Sequence, residues 1–445
     1  MNDRYWDRAA ETMPTDKLKQ LQLAKLRSIV AYSYNHSPYY RELYDAAKVR
    51  PDDIKSLDDL RRLPPICKCD LRKDIAEHPK FGRILAVPEE DVVYVACSSG
   101  TTGRPLVSPF TKEGFEEVID VSSRFFYGQG MRRGDRHIHC LNLSLFVASP
   151  AVLAVERVGA MCLWGGVIAM ERTFSMLQSL QITSLLITPS FAWRLGHYVW
   201  EQFGVDPAKD LFVRRITVAG EPGGSVPEIR KSIEKLWGAR VYEVYGLSEI
   251  MGCLAASCEE QDGLHLAEDH VFVETLDPKT HELLPDGEEG EFAFTALDKR
   301  GHPMIRYRSG DIGVVDRTPC RCGRTSARLR IVGRKGDMFI VSGVNVYPED
   351  VHAALLTIKG ITGEFLIHLR TKHFTTCYDV EIERAPGGAE ADEELAARVS
   401  DNLKHILAAR PHSVVVKQPG EIKQPEGQKA RYVVDERENG FKWRT

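Results

Sequence analysis

The chain has 445 residues, 43% apolar and 27% charged, so it is too long for one ordinary domain and too apolar to be disordered; two or three domains are expected. A formal charge of −4 leaves no basic excess to neutralise phosphates, which excludes nucleic acid as a partner. No apolar run reaches the roughly 18 residues of a membrane span, and the polar N-terminus is no secretory signal, so the expectation is a cytoplasmic protein without a membrane partner.

Up to about residue 80 the chain reads as helical and polar, with Leu18, Leu21, Leu23, Leu26 and Ile29 forming a loose apolar stripe. Residues 92–96 are an apolar run that predicts a buried strand ending at a sheet edge. The next segment is Ser98-Ser99-Gly100-Thr101-Thr102-Gly103, which carries only hydroxyls, hydrogens and backbone. Such a loop can form a concave nest of N–H groups, and its natural guest is a polyphosphate. It is no Walker loop, because Gly-x4-Gly-Lys-Ser/Thr is absent.

From residue 92 to about 330, short apolar runs alternate with amphipathic segments. Residues 184–188, 215–219 and 241–245 predict strands, and 227–236 a crossover helix, the signature of an α/β fold with mostly parallel sheets. Beyond Pro278 the texture changes to turns and short strands, as in residues 286–294, predicting a small antiparallel subdomain. A strand at 338–341 and a helix at 348–356 open the last stretch, whose ~90 residues suffice for a compact α+β domain. The expected division is a large N-terminal domain, 1–335, and a small C-terminal one, 336–445. There are no internal repeats.

Ten cysteines remain to be explained in a compartment that disfavours disulfides. Cys67, Cys69, Cys97, Cys140, Cys162 and Cys377 have no ligand-like spacing and read mostly as small core residues. Cys258 with His265, and Cys320 with Cys322, offer three thiolates and one imidazole, which suits a closed structural Zn²⁺ site. Cys253 is an alternative fourth ligand and His270 a weaker one.

Six segments stand in order along the chain: Ser98–Gly103; Ala219-Gly220-Glu221-Pro222; Tyr245-Gly246-Leu247-Ser248-Glu249; Arg306-Tyr307-Arg308-Ser309-Gly310-Asp311; Gly333-Arg334 through Tyr347-Pro348; and Glu426-Gly427-Gln428-Lys429. Together they resemble the adenylate-forming superfamily of acyl-CoA synthetases, and within it the phenylacetate–CoA ligase family. Ser37-Pro38-Tyr39-Tyr40 and Leu60-Arg61-Arg62-Leu63-Pro64 extend the resemblance to nearly all the chain.

The resemblance implies a large adenylation domain, a mobile C-terminal domain, ATP, Mg²⁺ and coenzyme A. It assigns Ser98, Ser99, Gly100, Thr101, Thr102 and Gly103 to the β- and γ-phosphates, and Ser248 to the α-phosphate. Glu249 becomes the Mg²⁺ ligand, Asp311 the acceptor for the ribose hydroxyls with Arg334 beside it, and Gly220, Glu221, Pro222, Tyr245 and Gly246 the adenine surroundings. Lys429 is the catalytic ammonium that bridges substrate carboxylate and α-phosphate. The usual Glu-Gly-Lys is interrupted by Gln428, yet Lys429 keeps the Lys-x5-Asp spacing to Asp435. Gly336 stands two positions after Arg334, at the place of the family's hinge residue, and predicts a loose hinge. Arg104 replaces the usual lysine and keeps its charge.

The acyl pocket falls on Leu143, Phe146, Ala219 and Gly246. Phe146 is a flat wall suited to an aromatic ring, while Leu143 and Val147-Ala148-Ser149 replace the family's tyrosine and Thr-Gly-Gly. The expectation is a small aryl acid, phenylacetate-like or benzoate-like, as substrate. A carrier-protein phosphopantetheine or an amine as acceptor, and a degenerate binding module, are the rival classes; a homodimer is allowed for.

Overall fold

The computed structural model describes residues 4–97, 106–143, 150–221, 223–336, 338–341, 344–372, 375–424, 430 and 432–437. The chain divides into two compact units, Met1–Ile187 with Asp210–Gly220 and Tyr242–Val332, and Thr188–Lys209 with Glu221–Val241 and Gly333–Thr445.

The first unit is organised by one twelve-stranded sheet. At one end Met161–Trp164, Arg136–His139, Ser184–Ile187 and Arg215–Val218 pair in parallel. Every residue of the last two strands is buried, as expected of apolar runs whose two faces are both covered. Arg240–Leu247 follows, and from it the pairing turns antiparallel through Met251–Ser257, Leu264–Leu266 and Arg328–Arg334. Tyr307–Asp316, Gly290–Ala296 and Val271–Leu276 follow, also antiparallel to one another, and the twelfth strand, Ile66–Cys67, pairs in parallel with Tyr307–Asp316. The expected parallel region and small antiparallel region are therefore two ends of one continuous sheet.

Two sequence expectations for this unit are corrected. The stripe of the helix Thr15–His36 is Leu18, Gln22, Leu26, Ile29, Val30 and Ser33, close to i, i+4 spacing, while Leu21 and Leu23 are only half-buried. Gln22 belongs to the buried face because its Nε2 donates to the Glu268 carbonyl at 2.9 Å.

The strand Val92–Cys97 is not buried on both faces; it forms a separate two-stranded antiparallel ladder with Val107–Thr111. Tyr94 packs on Phe115 at 5.0 Å between ring centroids, whereas Val93 and Val95 face solvent. Alternation, absent from the residue types, is imposed by the one-sided support of the helix Lys112–Gly128.

The cysteine expectation also changes. Of the six presumed core residues only Cys140 is buried; Cys97, Cys162 and Cys377 are half-buried. Cys67 and Cys69 are bonded to each other, with Cys69 exposed at the start of the helix Lys68–Glu77.

The second unit holds a four-stranded sheet, Ser413–Lys417, Thr375–Arg384, Ile361–Lys372 and Val433–Asp435, with an antiparallel central pair and parallel outer pairs. Pro348–Leu356 and Asp392–Leu407 close its core, in which Phe365, Tyr378 and Val380 are fully buried. The unit also takes in Pro189–Phe203 and Pro227–Trp237. Both helices begin with proline at the first turn and end on a glycine with positive φ, Gly204 and Gly238, so both ends are legible in sequence. Among the described residues no helix is long and apolar enough to cross a membrane.

Candidate active site

Strand Arg240–Leu247 delivers the Tyr-Gly-Leu-Ser-Glu segment to a tight turn before Met251–Ser257. A Cβ on Gly246 would collide with the backbone of Gly252, so only glycine permits this approach of the two strands. The turn places Ser248 with its hydroxyl donating to the Cys97 carbonyl at 3.3 Å. Cys97 is the residue immediately before the predicted phosphate loop.

Glu249 is buried, and its Oε1 lies 3.3 Å from the Lys68 Nζ. That contact is an ion pair only: among the described residues Oε1 accepts no hydrogen bond of good geometry. Beneath it sits Lys299, wholly buried, donating to the Glu249 carbonyl at 2.5 Å and to the Ser108 Oγ at 2.7 Å. Its ammonium also lies 4.1 Å from the Phe110 ring centroid. Burial pushes Lys299 down to about 7, while the Glu249 carboxylate pulls the other way. Neither lysine was singled out from sequence. Lys299 stands in Leu-Asp-Lys-Arg-Gly-His, which reads as a solvated turn, and only the fold turns its ammonium inward.

A second polar pair lies on the same sheet. The Tyr245 hydroxyl donates to the Asp311 Oδ2 at 2.5 Å, and Asp311 accepts it from a buried position in Tyr307–Asp316. The Asp311 amide in turn donates to the Ser309 Oγ at 3.0 Å. The sequence separated Tyr245 and Asp311 into two motifs; strand order brings them together.

Gly220 has φ +86 in the first unit. Glu221 belongs to the second, where its carboxylate accepts from the amides of Ser190 at 3.3 Å and Ala430 at 2.7 Å. Arg334 also lies in the second unit, exposed at the end of Arg328–Arg334. Gly336 is exposed, and nothing lies within 4 Å of the place a Cβ would take. Leu143 and Ala219 are half-buried, Leu143 approaching Gly166 and Ala219 packing beside Cys253 and Val244. Ser98 to Gly103, Arg104, Phe146 to Ser149, Pro222, and Gly427 to Lys429 lie outside the described residues.

The Cys/His group is assembled as expected. One ligand atom from each of Cys258, His265, Cys320 and Cys322 lies within 4.8 Å of the others, and all four residues are buried. The Cys258 and Cys320 sulfurs are 3.8 Å apart, and the Cys322 sulfur is 3.3 Å from the His265 Nε2. His265 Nδ1 faces the Ser326 hydroxyl at 3.2 Å, which fixes the ring with Nε2 inward, the orientation a metal-ligating histidine needs. Sharing of one proton with Cys258 draws the Cys322 thiol far down, with His265 adding to the effect, and drives Cys258 up. Three sulfurs and an inward imidazole nitrogen fit a tetrahedral zinc ion. Cys253 is buried against Val244 and Ala256, and His270 bonds the Asp298 carboxylate at 2.9 Å, so neither alternative joins the group.

A sheet that changes from parallel to antiparallel, followed by a small α+β unit, is the architecture of an adenylate-forming enzyme. The AMP-binding enzyme family model matches residues 12–295, and the AMP-binding enzyme C-terminal domain model matches 343–437. The phenylacetate–coenzyme A ligase of Thermus thermophilus is 34% identical, over 96% of this chain and 98% of the relative. That of Pseudomonas putida is also 34% identical, over 96% of both. Among solved structures, 2-hydroxyisobutyryl-CoA ligase in the postadenylation state with 2-HIB-AMP superposes with a TM-score of 0.92 at 30% identity, covering 98% of this chain and 93% of that one. The chain belongs to the phenylacetate–coenzyme A ligase family of AMP-forming acid–thiol ligases.

Proposed function

We propose that the protein joins a small aryl carboxylic acid, phenylacetate-like or benzoate-like, to AMP and then passes the acyl group to coenzyme A. The observation that carries this is Glu249, buried between Lys68 and Lys299 on the turn whose Ser248 touches the residue before the hydroxyl- and glycine-rich loop. In the first step a carboxylate oxygen attacks the α-phosphorus and the bond to the β-phosphate breaks, releasing pyrophosphate. In the second the thiol sulfur attacks the acyl carbonyl and AMP leaves.

Two anions must meet in the first step, so cations and donors fixed in advance lower the barrier. In this reading Ser98 to Gly103 hold the β- and γ-phosphates and Ser248 donates to the α-phosphate. Tyr245 orients Asp311 toward the ribose hydroxyls, with Arg334 serving the same sugar. Gly220, Glu221, Pro222 and Gly246 border the adenine, and Lys429 bridges carboxylate and α-phosphate from the C-terminal domain, 336–445. Leu143, Phe146, Ala219 and Gly246 shape the acyl site.

Glu249 would hold Mg²⁺ through its buried Oε1, which accepts no hydrogen bond among the described residues and faces only the Lys68 ammonium, and the ion when bound would offset phosphate charge. Cys258, His265, Cys320 and Cys322 would hold zinc as a tie between the Met251–Ser257 arm and the later loop. Gly336 as hinge would let the C-terminal domain serve both half-reactions; replacing it with proline then slows thioester formation far more than adenylate formation.

The resemblance to 2-hydroxyisobutyryl-CoA ligase favours a second reading, a short branched hydroxy acid. A pyrophosphate-release screen over phenylacetate, benzoates, 2-hydroxyisobutyrate and octanoate separates them. Aryl acids should lead; a clear lead for either aliphatic acid would overturn the aryl assignment. Running the second step with coenzyme A, a carrier-protein phosphopantetheine and an amine decides the acceptor.

A further inference from the structure

Glu221 sits at the end of a nucleotide-site motif, yet both its carboxylate oxygens are taken by the chain itself. Oε2 accepts from the Ser190 amide in the first turn of Pro189–Phe203, whose Thr188 cap also accepts from Phe191. Oε1 accepts from the Ala430 amide at 2.7 Å, the short distance of a charge-assisted bond. The residue is only 8% exposed, so this bond is shielded from competing water.

The chain beyond Ala430 is docked as well. The Tyr432 ring stacks on Phe365 with centroids 4.6 Å apart and planes 6° from parallel, and its carbonyl accepts from the Ile367 amide at 2.7 Å. Val433 then continues beside Ile367 as a parallel strand. The helix and the sheet that carry these contacts touch each other, Trp193 Nε1 donating to the Thr362 carbonyl at 3.2 Å.

We infer that Glu221 is a positioning residue, a carboxylate latch that fixes the backbone at Ala430 and so presents the neighbouring Lys429 for adenylate formation. The inference rests on the role proposed for Lys429. A fixed backbone one residue away removes much of the freedom a lysine would otherwise lose in reaching the reacting groups.

Other charged groups lie around the latch. Glu364 is pushed up to about 7 by burial, with Arg194 opposing and Glu383 and Glu221 adding to the rise. The Glu383 Oε2 accepts from the amides of Gly420 and Ile422, and Tyr432 feels Glu221, Glu364, Arg194 and Glu349.

The test compares full-length wild type, Glu221→Ala and Glu221→Gln by two measurements. Amide hydrogen exchange at Ala430 reports the latch without any activity. Protection is expected in wild type and Glu221→Gln, which keeps an acceptor oxygen, and its loss in Glu221→Ala. The half-reactions are then timed separately: pyrophosphate release without coenzyme A, and thioester formation from the preformed acyl-adenylate. Glu221→Ala should slow the first ~30-fold, about 2 kcal/mol at 1.36 kcal/mol per tenfold, and the second several-fold less than that. Glu221→Gln should lose only a few-fold. An Ala430 amide that exchanges equally fast in all three proteins overturns the inference, and so does an equal fall in both half-reactions. A wild type that forms no adenylate from any acid brings down the functional reading instead, and exchange still decides the latch.

Discussion

Burial moves groups toward neutrality in both units: a cation, Lys299, and an acid, Glu117, in the first, and an acid, Glu364, in the second. In the first unit burial drives a cation down, Lys299 to about 7; in the second it drives an acid up, Glu364 to about 7. The cation holds the Glu249 turn by two short hydrogen bonds. The acid feels three other ionisable groups, Arg194, Glu383 and Glu221, two of them carboxylates. The lesson is that burial acts by the sign of the charge: it weakens the hold on a proton of a lysine that bonds the Glu249 carbonyl, and strengthens that of a glutamate near Glu221 and Glu383.

The largest expected effect lies at the Cys/His group, which belongs to the first unit alone. Removing bound metal with a chelator, or replacing Cys322 with serine, should cost on the order of 4 kcal/mol or more of stability, because binding energy at such sites is folding energy. Calorimetry with metal analysis checks it; an unchanged midpoint in a metal-free preparation would remove zinc from the description.

Next comes Lys299. Its pKa is lower folded than unfolded, so between about 7 and 10.5 the unfolded chain binds the extra proton and stability rises with pH. The rise should be about 5 kcal/mol at most, and Lys299→Met should abolish it. The same variant should slow adenylate formation ~100-fold, since the Glu249 carbonyl and Ser108 lose their donor. Urea unfolding across pH 6 to 10, paired with pyrophosphate release, measures both.

Glu364 gives the mirror image. Its pKa is higher folded than unfolded, so the folded chain binds the extra proton between 4.5 and about 7 and stability falls as pH rises through that window. The fall should be about 3 kcal/mol at most, and Glu364→Gln should flatten it. If both variants flatten the same limb, the contrast between the units fails.

The smallest effect belongs to Tyr245→Phe, which removes one hydrogen bond to Asp311. About 1 kcal/mol of nucleotide affinity should be lost, roughly a fivefold rise in the KM for ATP with kcat little changed. A fall in kcat alone would count against the proposed role of the Tyr245–Asp311 pair in holding the ribose.

Much of this was written in local residue order. Helix ends at Pro189, Gly204, Pro227 and Gly238 follow from proline and glycine backbone preferences, and the all-buried strands from unbroken apolar runs. The members of the Cys/His group were legible because few residue types bind zinc, although some 55 residues separate its halves. The ladder of Val92–Cys97 was misread because an apolar run does not reveal that only one of its faces is covered.

Residue identity alone determined the family, the order of its motifs and the chemistry each motif can offer, since spacing and side-chain type survive without coordinates. Only the tertiary structure decided which groups meet: Lys299 under Glu249, Tyr245 on Asp311, Ala430 on Glu221. Those partners lie tens to hundreds of residues apart, and strand order and burial, not local propensity, determine whether a charge far along the chain turns inward or stays in water.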